Sequence, residues 1–496
     1  MDHGHAQERI NQNQNRETTS GMHETPRVGL RHDNNQAMAN VSTTTVLRLM
    51  TALCLVGCRA ANSEESTPLN VIVVSIDTLR GDRVGRAGPN GESLTPVLDA
   101  FAQDSTQFTA AFSQSNETLF SHASMFTGRY PSELGPMDYM TYRIAPGTST
   151  IASRLGDAGY RTEAVVGGGH MAPAFGMQAG FHRYRSTSDF SGFQETMPLA
   201  LETLDDLARE DSPFFLFVHG YDCHTPYIKP GPFGRAMSPG HESDMVDLAR
   251  QPLTYDRIHK DKYYPEYEAP QISSPDALRF LDPEMFSDLK AYAEGPGESN
   301  HKQLSNKERR FLIGTYDSAT QYADTHVGFL LDRIDALSLR ENTVVIVLSD
   351  HGEDLLDNGY FNHRVSLHDS NLRVPLIIRA PGVEPSVRRD LVGLIDLLPT
   401  VLDITGLPPI PGRGQNLLEP PRSEDRAIYS ESLRGHTSIR TSRGRLISAT
   451  SERPPSIIPE TAPDNFDLYH PNGRAQRWNP RKVADLWIAL RKVERE

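Results

Sequence analysis

The stretch NVIVVSI, Asn70–Ile76, is an unbroken run of mostly β-branched residues without polar alternation. That is the pattern of a strand buried on both faces of a parallel sheet. Similar runs recur at Phe214 to His219 (FFLFVH), Thr343 to Ser349 (TVVIVLS) and Val374 to Arg379 (VPLIIR). Helical patterns lie between them. Thr95 followed by Pro96 opens one as N-cap and first-turn proline, continued by Leu98, Phe101 and Ala102. Ser305 with Glu308 reads as a capping box for a long helix from about Asn306 to Leu337, with Leu312, Tyr316, Ala319, Ala323, Val327 and Leu331 at helical spacing. This βα alternation predicts an α/β fold built on a doubly wound, mostly parallel sheet, whose ligands sit beyond the carboxyl ends of the strands.

Working outward, residues 228–304 interrupt the alternation with Pro, Gly, Tyr and charged residues, and read as a long surface insertion, a candidate lid. After PPIPGRG, Pro408 to Gly414, the composition shifts again to runs at Ile428 to Glu431 and Ser438 to Ile447 and a terminal helix from about Arg481. A main domain at 69–408 and a smaller C-terminal α/β subdomain at 409–496 follow from this. No internal repeat is present.

Of the 496 residues, 37% are hydrophobic and 23% charged, enough apolar content for a sizeable core and too much for a wholly disordered chain. The 50 basic and 64 acidic residues give a net charge of -14, which argues against nucleic acid as a partner. An anionic substrate in such a field needs a local cation. No apolar run reaches the ~18 residues of a membrane span, so a polytopic membrane protein is excluded. Cys54, Cys58 and Cys223 are too few for a disulfide framework.

Residues 1–37 are polar, rich in Asn, Gln, His and Arg, and lack periodicity; they read as disordered or as an overlong start, with Met38 as the alternative first residue. From 38 to 58 a basic residue, Arg48, precedes a short apolar run ending Leu55-Val56-Gly57-Cys58. This has the organisation of a secretory signal. The tetrapeptide resembles the lipobox of bacterial lipoproteins, which implies a lipidated Cys58, a tether at 59–68, and a protein anchored to the membrane at the bacterial cell envelope, facing the periplasm or the surface. An ordinary signal peptide or a buried helix are the alternatives.

Each long strand ends in residues suited to a hard cation. Asp77 follows the first run, Asp222 and His224 the second, and Asp350 with His351 the third. A carboxylate buried at a sheet edge costs several kcal/mol unless it is paired, so a metal or a cationic neighbour is expected. One such Asp alone is more often a turn former or helix cap.

The strings SIDTLRGDRVG (Ser75 to Gly85), TLFSHASMFTGRYP (Thr118 to Pro131), HGYDCHTPY (His219 to Tyr227), SDHGEDL (Ser349 to Leu355) and LRVPLIIRAPG (Leu372 to Gly382) resemble, in order, the sulfatase family of the alkaline phosphatase superfamily. The resemblance spans about residues 70 to 490. It implies an alkaline-phosphatase-like fold and one divalent cation, calcium with zinc or manganese as alternatives, held by Asp77, Asp350 and His351 together with Thr118. Thr78 stands where many members have a second Asp. The family's nucleophile, a Cys or Ser oxidised to formylglycine in the pattern C/S-x-P-S-R-x-x-x-x-T-G, falls on Thr118. Its proline falls on Phe120, its serine on Ser121 and its arginine on His122. Threonine cannot become that aldehyde, but its hydroxyl can attack directly when a metal lowers its pKa and a helix amino terminus stabilises the charge. Relatives that cleave phosphate diesters and transfer phosphoryl groups use Thr in this way; the bland alternative is a helix cap.

The same resemblance places His224 on the leaving-group side, His363 where the family faces the substrate with Lys or His, and His122 and His363 around the anion. The family's Gly-Lys-Trp-His segment falls on Gly167 to His170, without its lysine. Cys223 is a variable spacer. The expected activity is metal-dependent hydrolysis of sulfate or phosphate esters of a sugar, an aryl group or a lipid. A non-catalytic binder of sulfated ligands and a phosphoryl-type transferase using Thr118 are the alternatives.

Overall fold

A strand with apolar residues at every position needs cover on two sides, and β1 (Asn70–Ile76) is buried throughout. Val71 and Val73 face one apolar layer while Ile72, Val74 and Ile76 face another. The computed structural model describes residues 68–229 and 306–448 except short gaps at 89–90, 188–189, 226, 228, 356, 358–361, 365, 422 and 424–425, together with Phe466–Tyr469 and helical residues between 482 and 493. The N-terminal segments, the 228–304 insertion apart from Lys229, and the Ser305 cap lie outside the described residues. Among the described residues, no helix is long and apolar enough to cross a membrane.

In chain order after β1 come β2 (Thr106–Phe108), β3 (Ala111–Phe112), β4 (Arg161–Val166), β5 (Arg183–Ser186) and β6 (Phe214–Gly220). They are followed by β7 (Thr343–Leu348), β8 (Arg373–Val374), β9 (Leu376–Arg379), β10 (Ser386–Arg388) and β11 (Val392–Gly393). The main sheet has eight strands in the order β10-β2-β9-β7-β1-β6-β4-β5. β7, β1, β6, β4 and β5 run parallel to one another, so their carboxyl ends share one edge. β9 alone runs against its neighbours β7 and β2. Residues 374–379, expected as one parallel strand, are therefore divided: Pro375 lacks an N–H for the ladder, Val374 pairs in a small separate sheet with β3, and Leu376 onward enters the main sheet antiparallel. An apolar run signals burial on both faces and carries no information on direction.

Helices cover both faces of the sheet. Thr118–Thr127 and Leu397–Ile404 pack on one side; Pro96–Gln103, Phe193–Leu207 and Asn306–Ala336 pack on the other. In the long helix Leu312, Tyr316, Ala319, Ala323 and Val327 are fully buried, and the stripe continues through Leu330 and Ile334 with Leu331 only half-buried. Thr95 precedes the Pro96–Gln103 helix without capping it. Asp324 of the long helix does so instead, accepting from the backbone N–H groups of Val97 and Leu98 at 3.0 and 2.9 Å.

Residues Thr67–Glu496 form one compact unit that includes a second sheet. It is the antiparallel series β12 (Ile428–Glu431), β13 (Thr437–Thr441), β14 (Gly444–Ser448) and β15 (Phe466–Tyr469). The run Ser438 to Ile447 is thus a hairpin rather than one strand, turning at Ser442 and Arg443. Val483 and Leu486 pack on Ile439 and Leu446. Asp369 takes ion pairs from both Arg440 and the fully buried Arg445, which ties this sheet to the loop before β8.

His368 sits beside that ion-paired group. Burial, and then the Arg445 guanidinium, push its imidazole down to about 4. An unfolded chain takes this proton near pH 6.5, so keeping His368 neutral costs nothing above about 6.5 and destabilises the fold progressively as pH falls toward 4. The expected slope from this one group is up to ~1.4 kcal/mol per pH unit. Urea midpoints measured across that range should fall less steeply in His368→Gln than in wild type; identical slopes would contradict the assignment.

Candidate active site

Asp77 follows β1, Asp350 and His351 follow β7, and Thr118 opens a helix that leans on the same sheet edge. Potential ligand atoms of Asp77, Asp350 and His351 lie within 4.8 Å of one another and all three residues are buried. The Thr118 hydroxyl donates to Asp77 Oδ2 at 3.0 Å and lies 3.3 Å from His351 Nε2. Asp77 Oδ1 and Asp350 Oδ2 are buried without a hydrogen-bond donor. Burial raises the carboxyl of Asp77 to about 6 and that of Asp350 above the usual range, the latter also through the charge of Asp77. Two buried, facing, under-satisfied carboxylates are the arrangement a divalent cation relieves. The His351 ring agrees: its Nδ1 lies 2.9 Å from the Gly352 carbonyl, which can only accept, so the proton is on Nδ1 and the Nε2 lone pair faces the carboxylates. The donor set therefore fits a metal ion.

The backbone is strained where it serves this cluster. Thr78, a β-branched residue, has φ +57°, a conformation that persists only when its surroundings enforce it. Its N–H donates to Asp350 Oδ1 at 3.2 Å and its carbonyl accepts from the Tyr316 hydroxyl at 2.6 Å. Ser121, one turn into the Thr118–Thr127 helix, donates to the Asp350 carbonyl at 2.7 Å and locks helix to strand end. That helix runs Thr118–Thr127, so Thr118 is its first residue, and no side chain caps its N-terminus. Its first amides are free to meet an anion.

The histidines separate into two groups. His122, expected beside the anion, is fully buried one turn behind Thr118. Its Nδ1 faces the Thr118 carbonyl at 2.8 Å, its Nε2 the Ser75 hydroxyl at 3.0 Å, and its ring packs against Phe217. With both nitrogens engaged and burial pushing its pKa down to about 4, it supports the floor of the cluster instead of contacting an anion. His363 and His224 lie on the other side. His363 lies 4.4 Å from His351, their rings tilted by 37°, and His224 lies 5.2 Å from His363, as ring centroids. His363 Nδ1 is 3.1 Å from Glu353 Oε1 and His224 Nδ1 is 2.7 Å from the Thr225 carbonyl, so each presents only Nε2 to the site. Burial holds His224 down to about 3; the charge of a bound anion opposes that shift and favours its protonation.

Asp222 does not join the cluster. It accepts from Phe193 N–H at 2.7 Å and caps the Phe193–Leu207 helix, whose own N-cap residue, Gly192, has no side chain. Cys223 is buried, and burial raises its thiol well above the usual range, the opposite of an activated nucleophile.

Three groups escaped the sequence reading. Glu117, immediately before Thr118, is buried with neither carboxylate oxygen hydrogen-bonded, and burial raises it to about 7. Arg364, immediately after His363, lies with Nε 3.8 Å from Glu117 Oε2. Asn116 donates to the carbonyls of His363 and Ser366 at 2.6 and 3.0 Å and fixes that loop. Their signal was adjacency: Asn116 and Glu117 directly precede Thr118, and Arg364 directly follows His363.

Sheet order, strand direction and the cluster at the carboxyl edge define an α/β fold of the alkaline phosphatase type. A solved protein of the alkaline phosphatase superfamily from Vibrio parahaemolyticus superposes with a TM-score of 0.54 at 17% identity, over 87% of this chain and 88% of that one. The sulfatase family profile matches residues 69–407, and the chain belongs to the sulfatase family, which makes it an ester hydrolase. Curated relatives include the iduronate 2-sulfatase of Mus musculus, 25% identical over 74% of this chain and 77% of that protein. The ulvan-active sulfatase of Formosa agariphila is 27% identical over 78% of this chain and 72% of its own length.

Proposed function

We propose that the chain hydrolyses anionic esters with Thr118 as a direct nucleophile, in a site whose Asp77, Asp350 and His351, with Thr118, would hold one divalent cation. The observation that carries this reading is the Thr118 hydroxyl itself, hydrogen-bonded to Asp77 at the uncapped start of a helix and within 3.3 Å of His351 Nε2. Such a cation lowers the pKa of a ligating hydroxyl and offsets the charge of the transferring group.

The chain's own groups perform the remaining work. Thr118 Oγ1 is oriented by its bond to Asp77, and the helix amides stabilise charge developing on the non-bridging oxygens. Attack forms a bond from Thr118 Oγ1 to sulfur or phosphorus as the hydroxyl proton passes along its hydrogen bond to Asp77 Oδ2, and breaks the bond to the ester oxygen. His224, protonated in the complex, gives that oxygen its proton. Water then attacks sulfur or phosphorus, giving one proton to the now neutral His224, while Thr118 Oγ1 leaves and takes its proton back from Asp77, which releases the inorganic anion. A threonine ester is harder to hydrolyse than a formylglycine hemiacetal is to collapse, which favours phosphorus chemistry; the names of the relatives favour a sulfated sugar.

A panel of aryl sulfate, phosphate monoester, phosphodiester and phosphonate substrates, with metal content measured on the same sample, tests the reading. Turnover on at least one ester, lost on chelation and restored by calcium, zinc or manganese, is expected. Inactivity of the metal-loaded enzyme on all four would overturn it in favour of a binding protein.

The lipobox resemblance supports a location at the cell envelope through a lipidated Cys58. Cys58→Ser should move the protein from the membrane to the soluble fraction without changing its fold, because the acyl chains are then its only anchor. Retention of that variant on membranes would reject the anchor.

A further inference from the structure

A pocket that holds an anion before reaction needs a permanent positive charge beside the nucleophile. The expected family cations are missing: His122 replaces one and faces the core, and glycine stands in place of the other. His224 and His363 each commit Nδ1 to an acceptor and have one nitrogen left.

A chain of ring contacts runs outward from the cluster. His351 contacts His363, His363 contacts His224, His224 stacks on Phe190 at 5.6 Å, and Phe190 meets His170 edge-on at 5.8 Å. His170 lies flat on Tyr139, centroids 4.6 Å apart. The Arg364 guanidinium lies over Tyr139 at 5.5 Å, and Arg364 follows His363 in the chain, so the circuit closes on it. Arg364 is 6% exposed, and its charge acts on Asp77, Glu117, His224 and His363. Asn116 and Asn371 both bond the His363 carbonyl and hold the backbone next to Arg364.

We propose that Arg364 is the residue that binds the non-bridging oxygens of the transferring sulfuryl or phosphoryl group, and that Glu117 positions it from the Nε side. This rests on the reading of Thr118 as the nucleophile and adds the group that recognises the anion. A guanidinium is a fixed fork of five N–H donors that no ordinary pH neutralises. Glu117 approaches Nε and the guanidinium lies over the Tyr139 ring, and the fork of a guanidinium matches two oxygens of a sulfate or phosphate.

The test separates binding from turnover. Inorganic sulfate and inorganic phosphate are titrated by calorimetry into full-length, metal-matched Thr118→Ala, and into the same protein carrying Arg364→Gln, Arg364→Lys or Glu117→Gln with Arg364→Gln. Loss of Arg364 should weaken binding of at least one anion by about 10- to 100-fold, and lysine should recover part of it. The Glu117→Gln, Arg364→Gln pair leaves no buried charge unmatched and carries the test if Arg364→Gln alone does not fold. An affinity within about twofold of the Thr118→Ala parent, or no measurable anion binding in that parent, would overturn the assignment of Arg364. Failure of the nucleophile reading would appear separately, as turnover surviving in Thr118→Ala.

Discussion

Thr118→Ala should lose turnover by about 10³- to 10⁶-fold, the range expected when a covalent route is removed and the rest of a site remains. The substitution deletes the hydroxyl that bonds Asp77 at 3.0 Å and leaves the other three candidate metal residues, Asp77, Asp350 and His351, and both pocket-facing histidines in place. Substrate affinity should therefore change little, and kcat should carry the loss. Thr118→Ser keeps the hydroxyl and should retain part of the activity. Thr118→Cys should give little sulfatase activity, because Phe120 and His122 depart from the formylglycine modification pattern. Steady-state kinetics on whichever ester the wild type cleaves will check this. A Thr118→Ala enzyme within about tenfold of wild type would remove Thr118 from the mechanism.

Asp350→Asn should weaken metal binding by at least about 100-fold, since a hard cation depends on carboxylate charge and this position supplies one of only two such charges in the cluster. The change is nearly isosteric. The amide oxygen that replaces the carboxylate Oδ1 can still accept from the Thr78 N–H, so the strained turn should persist. The metal-free variant should be at least as stable as metal-free wild type, because a buried carboxylate whose Oδ2 lacks a hydrogen-bond donor has been replaced by a neutral amide. The rise in Tm that metal gives the wild type should disappear. Asp77→Asn should behave alike for metal. Stoichiometric metal retained after dialysis in both variants would show that the cation, if any, binds elsewhere.

How far the sequence was legible depended on what each signal encodes. NVIVVSI and TVVIVLS gave their strands to within a residue because burial on both faces leaves one mark, continuous apolarity, and both strands are central. The same mark misled at Val374 to Arg379, where Pro375 divides the run and β9 reverses direction. Asp77, Asp350 and His351 could be placed together because parallel strands deliver their carboxyl ends to one edge. Thr118 could be placed with them only through the family pattern, since spacing along the chain does not show where a helix leans. His122 was misplaced although its position warned of it: a residue four after Thr118 lies one helical turn deeper on the same face. Its Nδ1 bond to the Thr118 carbonyl is that geometry realised. Glu117 and Arg364 had no periodic signal, because an ion pair 247 residues apart in sequence is created only by the fold.

The central claim is that Thr118 forms a covalent ester with the transferring group. The direct measurement is mass spectrometry of the peptide containing Thr118 after acid quench during turnover of the best substrate in the panel. The account predicts that a fraction of this peptide carries the added mass of one sulfuryl or phosphoryl group, that fragmentation places it on Thr118, and that Thr118→Ala shows none. An enzyme turning over with Thr118 unmodified at every quench time, together with a Thr118→Ala variant that remains active, would contradict it.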